Sequence, residues 1–193
     1  MKGFSPLRAG AIAMALGLFA VSMPVAAGEL AGAKLPDTLA SAGKTLKLNG
    51  MGLRKKAVFK VYVGGLYLET ASKDGAAILA ADAPKAVTMH FLRSIEKAKL
   101  VEAYTEGFEN NAKAKAAAQK ANVDRFLGLV TDVKEGSEFT VLYAPGAGTT
   151  VLRDGKEAGK IEGKDFSDVV FSLWLGPKPP SEDLKKGMLG LGN

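Results

Sequence analysis

Residues 57–69, AVFKVYVGGLYLE, constrain this chain more than any other stretch. Val, Tyr, Phe and Leu crowd into it, residue types that suit a pleated surface, and no proline interrupts it. It reads as a strand, with Gly64–Gly65 as a bulge or bend. A second such run, AVTMHFLR at 86–93, follows KDGAAILAADAP (73–84), a short helix that Pro84 ends. Ahead of both, KTLKLNG (44–50) alternates apolar and polar residues, and its Asn-Gly pair marks a turn. GAKLP, further upstream, supplies a first edge strand.

The hydrophobic period then changes from two to that of a helix. Ser94 stands where it would cap a long helix, with Leu100, Tyr104, Gly107, Phe108 and Asn111 on one face. AKAKAAAQKAN prolongs it with strong helix formers. NVDRFLGLVTDV (122–133) turns Val123, Phe126, Leu127, Val130 and Val133 inward as another helix. SEFTVLYAPGAGTTVLRDGKEAGKIEG divides into three antiparallel strands at Pro145–Gly148 and at Asp154–Gly155, the latter a type I′ hairpin signal. In DFSDVVFSLWLG, Phe166, Val169, Val170, Leu173 and Trp174 share a helical face; Gly176 caps it and Pro177 stops it. Ser181 opens a last helix through Leu189. Strands, helices, strands and helices in that order predict an α+β fold, an antiparallel sheet with helices on one face.

Residues 1–27 stand apart from this pattern. Lys2 and Arg8 precede an apolar run from Ala9 to Met23, and small residues follow at 25–27. This predicts a secretory signal peptide cleaved after Ala27, a periplasmic or secreted protein, and one domain over residues 28–193. The run contains Gly and Ser and is short for a membrane span of ~20 residues, and no later stretch supplies one. The chain has no cysteine, so packing alone must hold an exported fold. The net charge is +6, with signs interspersed as in RSIEKAK and LRDGKEAGK. A solvated surface has that pattern; a nucleic-acid-binding face would need a one-signed stripe with aromatic residues.

Most catalytic signatures are missing. His90 is the sole histidine, so the usual zinc ligands are lacking, and a strand histidine with a local hydrogen bond is expected. GMGLRK lacks the third glycine of a dinucleotide fingerprint and leads into a strand. GAGTT lacks the lysine of a phosphate-binding loop, and no G-x-S-x-G elbow occurs. No cofactor or metal is expected. What remains is Arg54 with Tyr62 and Tyr67. Arginine is a permanent cation whose planar fork suits a carboxylate, enolate or phenolate oxygen. Strand alternation puts Tyr62, Gly64 and Leu66 on one face and Val63, Gly65 and Tyr67 on the other, so one tyrosine only shares a face with any cleft at Arg54. Gly64 would open space beside Tyr62. On spacing alone, a surface ion pair for Arg54 and core-closing tyrosines is the simpler reading.

The stretch NGMGLRKKAVFKVYVGGLYLE resembles the strand pair of the chalcone isomerase family, and FSDVVFSLWLGPKPPSEDLKKGMLG resembles its terminal helix pair in the bacterial exported branch. The likeness runs over roughly residues 45–190. It implies an open-faced β-sandwich, a large antiparallel sheet covered by helices, with a cleft between the layers. In the plant enzymes of the family that cleft closes a chalcone to a flavanone. Their arginine falls on Arg54, their strand threonine on Tyr62, their helix tyrosine and asparagine near Lys97 and Tyr104. Their penultimate-helix hydroxyl falls near Leu173 or Trp174, unless Ser172 takes its place. Non-catalytic members hold a fatty-acid carboxylate with an arginine and a tyrosine, and Arg54 with Tyr62 or Tyr67 suits that task better. The resemblance thus implies a binder of a small amphipathic or aromatic acid, with Arg54, Tyr62, Gly64, Tyr67, Tyr104 and Trp174 around the ligand. An isomerase using Arg54 and Tyr62 is the alternative, and a partner-binding domain with its cleft closed by Tyr62 and Trp174 is another.

Overall fold

The computed structural model describes residues 28–192; the expected signal peptide lies outside them. A ribbon of β1 (Gly28–Leu30) and β2 (Ala33–Leu35) precedes a seven-stranded antiparallel sheet. Its strands are β3 (Thr38–Ser41), β4 (Lys44–Lys56), β5 (Phe59–Leu68), β6 (Lys85–Phe91), β7 (Glu138–Ala144), β8 (Gly148–Arg153) and β9 (Lys156–Ile161). They pair in chain order, each with the next. The helices are α1 (Gly75–Ala80), α2 (Lys97–Ala118), α3 (Lys120–Leu129), α4 (Lys164–Leu175) and α5 (Glu182–Met188). This is the α+β open-faced sandwich expected from the order of the elements.

The main core lies between the sheet and the helices. α4 is at its centre, with Phe166, Val169, Val170, Phe171 and Trp174 at 1 % exposure or less. Phe126 fills the space beneath α2, edge-on to Tyr104, Phe108 and Phe139. The opposite face of the sheet is not bare. Leu35 of the β1–β2 ribbon and Leu46, Tyr67 and Ala86 are buried there. Lys85, also buried, donates to the carbonyls of Ile78 and Ala81 at the end of α1 and lies over the rings of Tyr143 and Phe171. Burial lowers its pKa to about 8. Among the described residues no helix is long and apolar enough to cross a membrane.

Four local expectations are corrected. Asn49–Gly50 is not a turn: β4 runs straight through it, with an irregularity between Leu48 and Gly50. The Asn49 side chain instead bonds both backbone groups of Ser72 and the carbonyl of Met188, and these tertiary bonds replace the turn. Ser94 does not cap α2, which begins after Glu96; the Asp132 carboxylate accepts from Lys97 N at 2.7 Å, so the cap comes from another loop. The helix expected over 122–133 ends at Leu129, and Val133 pairs with Ile95 in a β-bridge. Gly176 ends α4 with φ −68°, not in the left-handed region; what it lacks is a Cβ that would strike Asn111.

Asp154 and Gly155 both have positive φ, as a type I′ turn requires. His90 Nδ1 lies 3.2 Å from Glu138 Oε1 on the neighbouring strand, the local bond expected of it.

All four tyrosines are buried, and burial is the main cause that raises each phenol above its ordinary pKa of 10.0. The unfolded chain therefore loses tyrosine protons first as the pH climbs past 10. Their contribution to stability is complete below pH 10 and is lost above it. Tyrosinate absorbance is expected to appear in one cooperative step together with loss of circular dichroism. A gradual rise in the folded protein would contradict this.

Candidate binding cleft

The cleft is built on one cross-strand pair. Arg54 of β4 stands directly opposite Tyr62 of β5, with a register shift immediately after it. Opposed residues on antiparallel strands point to the same face. The Arg54 guanidinium carbon accordingly lies 5.7 Å from the centre of the Tyr62 ring. The hairpin thus carries both side chains under α2 and α4. There they meet Leu100 and Tyr104 from α2 and Leu173 and Trp174 from α4 around a cleft of about 280 Å³. Tyr62 and Trp174 line this space without closing it, which removes the ground for the closed-cleft reading.

Arg54 is half-buried, and its Nε is fully buried with no hydrogen-bond partner. No ion pair among the described residues includes it. The surface ion pair expected from spacing alone is therefore not what Arg54 makes. A buried donor left unpaired costs free energy, about 1–3 kcal/mol and more for a charged group. Tyr62 Oη accepts from Trp174 Nε1 at 3.2 Å, which leaves the phenol's own proton available to donate. Burial raises the Tyr62 pKa, against a lowering by Arg54 and by the Trp174 bond, so it remains a neutral phenol. Tyr104 Oη donates to Met89 Sδ at 3.6 Å, and burial raises its pKa too. Lys55, Lys56 and Lys178 join the lining, against one acid, Glu106. A cation with a free N–H, a neutral phenol and apolar walls offer donors to an anionic head and a dry surface to its remainder.

Beyond Arg54 the cleft adjoins a groove of about 430 Å³, lined among others by Phe59, Val61, Ile95 and Leu100. Arg54 lines both spaces.

Two expected site residues are elsewhere. Tyr67 is on the opposite face, where its hydroxyl donates to the Pro36 carbonyl at 2.8 Å among Leu46 and Ala86. Parity separated it from Tyr62, and Arg54 went with Tyr62. Gly64 shares the Tyr62 face but opens no ligand space: a Cβ there would meet Leu184 Cδ1 at 2.9 Å and Met188 Sδ at 3.2 Å. Its lack of a side chain admits α5.

The two helix positions that the resemblance implied are separated by the fold. Lys97 is exposed at the start of α2, whereas Tyr104 reaches the cleft. Asn111 is occupied structurally, donating to the Gly107 and Lys178 carbonyls and accepting from Lys178 N. It thereby ties the segment after α4 to α2, which brings Lys178 to the cleft. Lys178 was missed by the sequence reading; its only signal was Asn111 on the Tyr104 face. Asn111 also precedes the kink of α2 at Ala112, and its amide donates to the Gly107 carbonyl one turn back.

A family model described as chalcone isomerase-like matches residues 27–190. No curated protein matches the sequence. Among solved structures, the chain is similar to the crystal structure of a fatty-acid binding protein from Arabidopsis thaliana, with a TM-score of 0.62 and 16% identity over 82% of this chain and 92% of that one.

Proposed function

Because the chain belongs to the chalcone isomerase-like family, we propose that it is a non-catalytic binding protein for a small amphipathic or fatty acid. The observation that carries this is the buried, unpartnered Nε of Arg54 beside the neutral Tyr62 phenol. A carboxylate between them would accept from both. The cleft of about 280 Å³ falls just below the usual size of small-molecule sites, roughly 300–1,000 Å³. It takes a head group and a short tail, and a longer tail would run past Arg54 into the groove lined by Val61, Ile95 and Leu100. The fatty-acid binding structure of similar fold supports the same class of ligand. The leader expected over residues 1–27 would place this binding outside the cytoplasm.

The test is to purify the processed protein from its own compartment, denature it and identify the extracted molecules by mass spectrometry beside Arg54→Ala. An aliphatic or aromatic acid is expected from the wild type only, and the chain should begin at Gly28. Titrated with that acid, Arg54→Ala should bind roughly 10- to 100-fold more weakly, the worth of a charged hydrogen bond, with unchanged circular dichroism. Undiminished affinity in Arg54→Ala would sink the reading.

Tyr104 beside Arg54 favours a second reading, an intramolecular lyase acting on a phenolic enone. That one requires turnover above the spontaneous cyclisation rate, and a flat result across several chalcones would dismiss it.

A further inference from the structure

The hairpin that carries Arg54 and Tyr62 continues beyond them. Lys55 pairs with Lys60 and Lys56 with Phe59, around a two-residue turn of Ala57 and Val58. β6 pairs with β5 only as far as Tyr62–Phe91, followed by one bond from Leu92 N to the Val61 carbonyl. β3 pairs with β4 no further than Lys47. The last residues of the ribbon therefore pair only with each other and form a tip.

The composition of that tip is unusual for a solvated turn. Every residue from Lys55 to Lys60 is exposed, with Val58 at 86 % and Phe59 at 56 %. Besides Leu191, near the end of the chain, these are the exposed large hydrophobics of the described residues. Gly, Asn and Asp are the usual turn residues, yet here Ala57 holds φ 52° beside a β-branched valine. Lys55, Lys56 and Lys60 surround the pair, and the Arg93 guanidinium lies 4.7 Å from the centre of the Phe59 ring. None of these four cations has an ion pair among the described residues. The acids of the adjoining groove, Glu96, Glu102 and Glu106, belong to α2 and the residue before it, not to the hairpin, and Glu102 is paired with Lys99. Lysines alone would serve to keep a strand edge from pairing with another chain. They do not account for an exposed valine and phenylalanine at the apex.

We propose that this hairpin tip docks on the anionic surface of a lipid bilayer, with Val58 and Phe59 entering the headgroup–acyl boundary and Lys55, Lys56, Lys60 and Arg93 against the lipid phosphates. Apolar apex and basic collar are the two parts that interfacial binding needs: buried apolar area, and attraction to anionic headgroups. Lys55 and Lys56 also line the cleft, so docking would bring its mouth to the surface from which an amphipathic acid is drawn.

The test uses the protein as processed by its own cells, sedimented at low salt with vesicles of equal parts phosphatidylglycerol and phosphatidylcholine, or of phosphatidylcholine alone. Partitioning is expected to the anionic vesicles only and to fall as salt is raised. Lys55→Glu/Lys56→Glu/Lys60→Glu should weaken it by on the order of a hundredfold or more, each lysine near such a surface being worth about fivefold. Val58→Ser/Phe59→Ser should weaken it by at least about tenfold and leave its salt dependence in place. Val58→Trp should add an emission that shifts to the blue on anionic vesicles. Equal partitioning to both compositions, no partitioning to either, or indifference to both sets of substitutions would overturn the proposal. The assay contains no acid ligand, so its failure would leave the acid-binding reading untouched.

Discussion

Gly187→Ala is expected to lower the free energy of unfolding by at least about 3 kcal/mol, although alanine is the better helix former by about 1 kcal/mol. Gly187 is in α5, which crosses β4 with backbone against backbone. A Cβ at Gly187 would meet the Met51 carbonyl and sit 2.6 Å from the Gly52 Cα. The clash is mutual: a Cβ at Gly52 would strike the Leu184 backbone, and one at Gly50 would lie 2.9 Å from Gly190 N. A flexible side chain yields cheaply to an added methyl group; a strand and a helix axis do not. The helix would have to lift, breaking the bond from Asn49 Nδ2 to the Met188 carbonyl and exposing Leu184, Met188 and Leu189, each now at 4 % exposure or less. Each such side chain contributes about 1.5–3 kcal/mol by burial. Denaturant unfolding measures the loss, and hydrogen exchange should show the amides of α5 opening first. A stability within about 1 kcal/mol of the wild type would mean that α5 can slide on β4.

Phe126→Ala is expected to cost about 3–5 kcal/mol, the usual range for a buried phenylalanine truncated to alanine. Phe126 is fully buried and contacts the rings of Tyr104, Phe108, Phe139 and Phe166, at centroid distances of 5.5 to 6.1 Å. It is also the one fully buried residue of α3, whose Val123, Leu127 and Leu129 are only partly buried against the core. The melting temperature should fall by about 10 °C, at 2–4 °C per kcal/mol for a chain of this size. The site should feel it too. Tyr104 rests edge-on against Phe126 while lining the cleft, so the truncation removes the support behind one cleft wall. Acid binding should weaken while Arg54 and Tyr62 remain in place. An unchanged melting temperature would show that the surrounding rings collapse into the gap.

The elements were largely legible because their signals are local. The two strand runs at 57–69 and 86–93, the helical face of Tyr104 and Phe108, and the Asp154–Gly155 turn each follow from spacing and backbone preference within a few residues. The misreadings fell where a distant group takes over a local task. Asn49–Gly50 is a good turn pair, but Ser72 and Met188 occupy the Asn49 side chain and keep β4 extended. Ser94 is a good cap, but Asp132 reaches Lys97 N first. Gly64 is small for the sake of α5, an element more than a hundred residues away along the chain.

The site divides in the same way. By itself the sequence determined that Tyr62 and Tyr67 face opposite sides of the sheet, because the strand period is two, and β5 keeps that period through Gly64–Gly65 in unbroken register, without the bulge expected there. It left Arg54 as the candidate anion anchor through the likeness of its strand pair to a known family, since spacing alone favoured a surface ion pair. Only the tertiary structure decided that Arg54 pairs with Tyr62, leaves its Nε unsatisfied and meets Tyr104 and Trp174. That choice rests on the cross-strand register, which is offset at Leu48/Gly50 and again after Arg54. A one-residue slip there would turn Arg54 to the other face; the two-residue turn at Ala57–Val58 and the close packing of α5 on Gly50 and Gly52 hold the register that was found.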